Sequence, residues 1–349
     1  MKAYVVTENQ KLEYIDVKDP VIKDDEVLIE VMSTGICGSD IPRIYNGGAY
    51  FYPLICGHEF SGVVRECGKD VDPALKGKRV GVFPLLPCHK CDQCLKGKFE
   101  LCRKYGYLGS RQDGGFAKYV AVPAWNVLEL PDDADFDAGA MMEPMCVAVH
   151  AMRRVDPAKD DKIVVFGAGT IGLFLTMFLL EAGYENVFVV GNKELQRQKA
   201  VELGLGADDF CDSRTVDVSE WISTKTDGAG ANVLFECVGR NDTVNQCLKN
   251  AAYEAKVMFV GNPASDMNIS KADHWLILRR QLTVTGTWNS SFTHSDDDDW
   301  HYVLKRLNAG RIDPGVLITH RLPFEELESG FEMMRDKSEE FVKVMGDLS

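Results

Sequence analysis

The stretch CGSDIPRIYNGGAYFYPLICGHE (37–59) brings a thiol at Cys37 together with the imidazole and carboxylate of His58–Glu59, among glycines and few other ionisable groups. These types suit a catalytic zinc, which takes three protein ligands and keeps a fourth position for water or substrate. The same cysteine and histidine would also suit a packed core, so the pair has to be weighed with the rest of the chain. A second group is more specific. Cys88, Cys91, Cys94 and Cys102, in an insert from Leu85 to Arg103, are spaced C-x2-C-x2-C-x7-C. Four thiolates this close can surround one tetrahedral structural zinc. The insert is lysine-rich with little core of its own, so the metal would supply its folding energy. An iron–sulfur cluster is the rival use of such a run, but the fourth cysteine is late and no proline follows it. Glu143, just before Pro144 in AGAMMEPMCVAVHAMRR (138–154), lies near a kink or break. A carboxylate in so apolar a setting is costly to bury alone, and a metal would be a good partner.

A third group points to a nucleotide. Gly167, Gly169 and Gly172, with Thr170 and Ile171 between them, form G-x-G-x-x-G directly after the apolar run KIVVF and before a helical segment. Such glycines permit a tight turn, close approach of a pyrophosphate and close helix packing. The next strand, NVFVVGNK, ends at Gly191, where an NAD site would carry an acid for the ribose 2′-hydroxyl. Asn192 and Lys193 follow, with Arg197 one turn on. Losing a carboxylate and gaining cations suits a 2′-phosphate, which favours NADP over NAD.

The elements that must position these groups differ along the chain. Short alternating runs (KAYVV, KLEYIDV, EVLIEVMSTG, RVGVFP, GGFAKYVAVP) fill the first 130 residues and predict a compact β-barrel-like domain. From about Asp161 apolar strands alternate with helices, predicting a doubly wound parallel sheet. After Trp288 come two helical segments, about 297–308 and 325–334, with strands at HRLPF and FVKVMG, which fit a return to the first domain.

Composition sets the class. A chain of 349 residues calls for about two domains. Apolar residues at 45% and charged at 26% are those of a soluble globular protein. A formal net charge of −14 argues against nucleic acid or an anionic membrane as partner. The opening MKAYVVTENQ lacks a signal-peptide layout, and eleven cysteines speak for metal and thiol uses over disulfides, so a cytoplasmic location is expected.

CGSD (37–40), GHE (57–59), the four-cysteine lobe, Glu143–Pro144 and GAGTIG (167–172) together give a resemblance to the zinc-dependent medium-chain dehydrogenases over the whole length. Within that family CGSDIPRIYNGGAYFYP, PLLPC and YLGSRQDGGFAKY make it similar to polyol-phosphate dehydrogenases. The resemblance implies an α/β architecture, a Rossmann domain at 149–287 inserted in a GroES-like catalytic domain at 1–148 and 288–349. It implies two zincs per chain, with Cys37, His58 and either Glu59 or Glu143 at the catalytic one. It also implies that Ser39 bonds the substrate hydroxyl, that Asp40 orients His58, and that the chain forms homodimers or homotetramers. Relatives such as sorbitol and threonine dehydrogenases carry a relay histidine five residues after the cysteine; here that position is Pro42, followed by Arg43. The departure mildly favours a phosphorylated substrate, with Arg43 and Ser110–Arg111 as candidate phosphate contacts and Tyr50, Trp288 and Asn289 as candidate pocket residues. The expected reaction interconverts a polyol phosphate and a ketose phosphate. Alternatives are a dehydrogenase of an unphosphorylated polyol or secondary alcohol and, in another class, a non-catalytic zinc- and nucleotide-binding redox sensor.

Overall fold

The run EVLIEVMSTGI becomes the strand Glu26–Ile36, buried along almost its whole length. It lies at the centre of a seven-stranded sheet ordered Val127–Glu129, Arg79–Val82, Glu59–Cys67, Glu26–Ile36, Lys343–Asp347, Ile318–Pro323, with Tyr119–Pro123 also pairing to the central strand. Strands from both ends of the chain thus share one sheet. The strand Glu59–Cys67 is not evident in the sequence, because Gly62 and the charged end of EFSGVVREC blur its alternation. Lys2–Val6, Leu12–Asp16 and Leu54–Ile55 make a smaller sheet, and Tyr4, Phe116, Phe324 and Phe331 belong to the core beneath it.

This computed structural model describes residues 1–9, 11–263 and 265–349. The described chain divides into two compact units, Met1–Glu143 with Ser291–Ser349, and Pro144–Ser290. Boundaries read from the sequence at 148/149 and 287/288 fall a few residues away, because the helix Met142–Val155 runs across the first of them.

The second unit holds a six-stranded, wholly parallel sheet ordered Phe210–Asp212, Val187–Gly191, Ile163–Phe166, Ala231–Glu236, Ala251–Phe259, Thr283–Gly286. Strand order reverses beside Ile163–Phe166, the switch point at which such sheets bind nucleotides. The chain therefore combines a β-rich unit with a doubly wound parallel sheet, the second as the alternation of strands and helices predicts.

Candidate active site

Pairing register brings the first metal-type group together. Gly35 sits opposite Glu59 in the sheet, and Val344 opposite Ile36, so Cys37, Glu59 and Lys343 converge at one strand end. His58 precedes its strand through Gly57, whose φ of +92° suits glycine and whose Cβ would lie 2.7 Å from the Phe116 ring. Ligand atoms of Cys37, His58 and Glu59 all lie within 4.8 Å of one another, with His58 and Glu59 buried. A thiolate, an imidazole and a carboxylate in that compass are a donor set that fits zinc.

Asp40, fully buried, stands behind the group. Its carboxylate lies 3.4 Å from His58 Nδ1, accepts the Cys37 amide at 3.1 Å and the Arg43 Nη1 at 2.8 Å. Burial would raise Asp40, yet His58 and Arg43 hold it below its ordinary value. Burial would likewise push the Cys37 thiol up and the His58 imidazole down. Their mutual attraction outweighs it, aided at His58 by Asp40, so the thiol lies below its ordinary range and the imidazole well above. Ser39 Oγ donates to Cys37 Sγ at 3.3 Å. Asp40→Asn is expected to weaken metal retention about 10–100-fold, read by chelator competition. Because the carboxyl is depressed, its contribution to stability is present above 3.8 and lost as pH falls below it, so Asp40→Asn should also flatten that acid limb.

Glu143 takes its place by a break between helices. The helix Phe136–Ala140 ends at Met141 and Met142–Val155 begins, so Glu143 and Pro144 lie in a first turn, where proline is tolerated. Glu143 Oε1 accepts the Tyr107 hydroxyl at 3.1 Å, and the Tyr107 ring lies 5.8 Å from that of His58. Burial raises the Glu143 carboxyl against the pull of His58 and Tyr107.

Two residues of this centre escape sequence reasoning. Tyr107 gives no local signal. Lys343 does, as a lone cation between valines in FVKVMG. Its ammonium is buried in direct contact with Glu59 Oε2 and lies 3.3 Å from the Ile36 carbonyl. Burial pulls it down to about 8 against the charges of Cys37 and Asp40. The two side chains meet over Gly35, where a Cβ would lie 2.4 Å from Glu59 Oε2 and 2.6 Å from Lys343 Nζ.

The cysteine lobe is equally close-set. Sulfur separations are 4.0 Å for Cys88–Cys94, 3.5 Å for Cys91–Cys94 and 4.0 Å for Cys91–Cys102. A tetrahedron with bonds of about 2.3 Å has edges of about 3.8 Å, so these thiols fit a zinc without rearrangement. Backbone amides pull Cys91 down to about 6, ready to bind as thiolate.

In the second unit Gly169 caps the helix Thr170–Glu181, and a Cβ at Gly172 would lie 1.8 Å from the Gly167 carbonyl. Thr170 and Ile171 open that helix. At the end of the next strand, Gly191 is followed by Asn192, whose amide donates to Gln196 Oε1, and by Lys193, which precedes the helix Glu194–Glu202. Arg197 is held by Glu194 at 3.0 and 2.7 Å.

Known proteins resemble this chain over most of its length. Residues 23–132 match the model for the alcohol dehydrogenase GroES-like domain, and residues 170–309 that for zinc-binding dehydrogenases. Over 308 residues the chain is 34% identical to galactitol 1-phosphate 5-dehydrogenase of Escherichia coli (strain K12), covering 88% of either protein. The chain belongs to the zinc-dependent medium-chain dehydrogenases. It is also 34% identical over 322 residues to L-threonine 3-dehydrogenase of Bacillus licheniformis, covering 90% of each. The crystal structure of galactitol-1-phosphate dehydrogenase from Escherichia coli superposes with a TM-score of 0.91 at 32% identity, covering 99% of this chain and 100% of that one.

The expected substrate contacts of this dehydrogenase divide. Arg43 donates Nη1 to the buried Asp40 carboxylate at 2.8 Å, with a side chain only 16% exposed. Ser110 is buried, while Tyr50 and Arg111 are exposed and stack together. Trp288 is half exposed and Asn289 Oδ1 accepts the Ser290 amide; both belong to the Pro144–Ser290 unit.

Proposed function

We infer that this dehydrogenase transfers hydride between NADP and a secondary hydroxyl of a polyol phosphate such as galactitol 1-phosphate, giving a ketose phosphate. The convergence of Cys37, His58 and Glu59, with Glu143 bonded to Tyr107 beside them, carries the reading. Cys37 and His58 would hold the catalytic zinc, with Glu59 or Glu143 third, and Cys88, Cys91, Cys94 and Cys102 would hold a second, structural zinc. Zinc in the first site supplies Lewis acidity that lets a hydroxyl lose its proton near neutral pH. Ser39 receives that proton, and Asp40 keeps the His58 ring oriented. With Pro42 in place of a relay histidine, the proton leaves Ser39 through water, a cofactor hydroxyl or a carboxylate.

NADP is favoured by Gly191 and Lys193, with Arg197 held back by Glu194. Lys193→Ala is expected to raise KM for NADP about tenfold and to leave NAD nearly unaffected, since one charge-assisted phosphate bond is lost. Equal effects on both cofactors would overturn this choice. A homodimer or homotetramer is supported by the Rossmann edge strand Thr283–Gly286, whose outer side pairs with no strand among the described residues, and by exposed Trp275 and Leu278 nearby in sequence. A cytoplasmic enzyme is supported by thiol usage, since five of the cysteines fall in the two metal-competent clusters. Assaying galactitol 1-phosphate and galactitol with NADP and NAD tests the substrate; equal kcat/KM for the two would sink the phosphate preference.

A further inference from the structure

Arg111 has the setting of a built anion site. Its guanidinium lies over two phenol rings, 4.3 Å from the centre of Tyr50 and 4.6 Å from that of Tyr105. Nη2 leans on both hydroxyls at 3.4 and 3.5 Å, and no carboxylate pairs with the group among the described residues. Two aromatic faces hold a guanidinium by cation–π attraction, and with Nη2 on the two hydroxyls the remaining donors are left for a ligand.

The turn that carries Arg111 is locked to the metal centre. Amides of Ser110, Arg111 and Gln112 converge on the Tyr107 carbonyl at 3.2, 2.8 and 3.1 Å. The same Tyr107 bonds Glu143 through its hydroxyl and faces His58 with its ring. Gly109 and Gly114 press on the loop before His58, so closely that a Cβ would lie 2.5 and 2.0 Å from the Gly57 carbonyl. Arg111 is thus fixed with respect to the catalytic residues in a way that a solvated surface base is not.

Charge gives such a group a use. A chain with net charge −14 repels an anionic substrate on approach, so recognition needs a local cation not already neutralised. Arg43 is bonded to the buried Asp40 with a side chain only 16% exposed, and Arg103 pairs with Asp92.

We propose that Arg111, clamped against Tyr50 and Tyr105, binds the anionic end of the substrate and thereby sets the choice between charged and neutral polyols. The proposal rests on the dehydrogenase reading above, where that end is a phosphate; a carboxylate offers the same paired oxygens to the guanidinium fork.

Arg111→Met and Arg111→Lys in the full-length, zinc-loaded enzyme test it, assayed on galactitol 1-phosphate, galactitol and a hexonate. Thermal melting of each variant confirms that it is folded. For the phosphate, Arg111→Met is expected to lower kcat/KM about 10–100-fold, mainly through KM, and at least tenfold more than for galactitol. Arg111→Lys keeps the charge but not the fork and recovers only part of the loss. If the wild type prefers the phosphate and Arg111→Met lowers phosphate and galactitol alike, the clamp is not the anion site while the substrate reading stands. If the wild type prefers the hexonate and the variant loses that preference, the clamp stands and the phosphate reading falls. A wild type with no preference for either anion overturns both.

Discussion

His58→Ala is expected to lower dehydrogenase turnover by about 10³-fold or more, the equivalent of roughly 4 kcal/mol of lost Lewis-acid stabilisation. His58 is the residue on which the centre converges: Asp40 faces Nδ1, Cys37 is coupled to it electrostatically, and Tyr107 packs its ring beside it. Removing it takes from Cys37 the partner whose attraction holds the thiol below its ordinary range, leaves Arg43 as the partner of the buried Asp40, and removes the imidazole donor. Metal analysis should then find zinc falling from about two to about one per chain, because the four lobe cysteines are a separate donor set that would keep its own metal. Loss of both metals would contradict the independence of the two sites. Glu59→Gln and Glu143→Gln, measured the same way, identify the third ligand as the one whose loss releases the catalytic metal.

Lys343→Met should have the largest effect on stability. Lys343 and Glu59 are almost fully buried, and breaking one side of such a pair leaves an uncompensated charge in the core at a cost of about 3–5 kcal/mol. The loss is expected in full when zinc has been stripped by a chelator. With zinc in excess it should be smaller, because Glu59 lies within ligand distance of Cys37 and His58 and can turn to the metal. Urea denaturation with and without chelator checks this. Equal losses in the two conditions would show that Glu59 does not reach the metal. Lys343→Met with Glu59→Leu removes both charges and should recover most of the stability, since a buried pair replaced by apolar residues is often near neutral.

The contrast between these two residues marks what could be read from the chain itself. Wherever groups are neighbours in sequence, the sequence determined that they come together. The four lobe cysteines span fifteen residues, so spacing alone gathers their thiols, and Gly167, Gly169 and Gly172 describe one turn between a strand and its helix. The alternation of strands and helices likewise determined the parallel sheet. What only the tertiary structure decided lies in pairs distant along the chain. Lys343 meets Glu59 across 284 residues because the last strand inserts beside the first long one and puts Val344 opposite Ile36. Tyr107 meets Glu143 because a turn folds back on Gly57. Arg43 and Arg111 look alike as exposed bases in sequence; the helix Asp40–Tyr45 aims the first at Asp40, and two tyrosines 55 residues apart frame the second. The physical reason is register. Sheet pairing sets which side chains share a strand end, and it depends on the whole sheet rather than on any local run of residues.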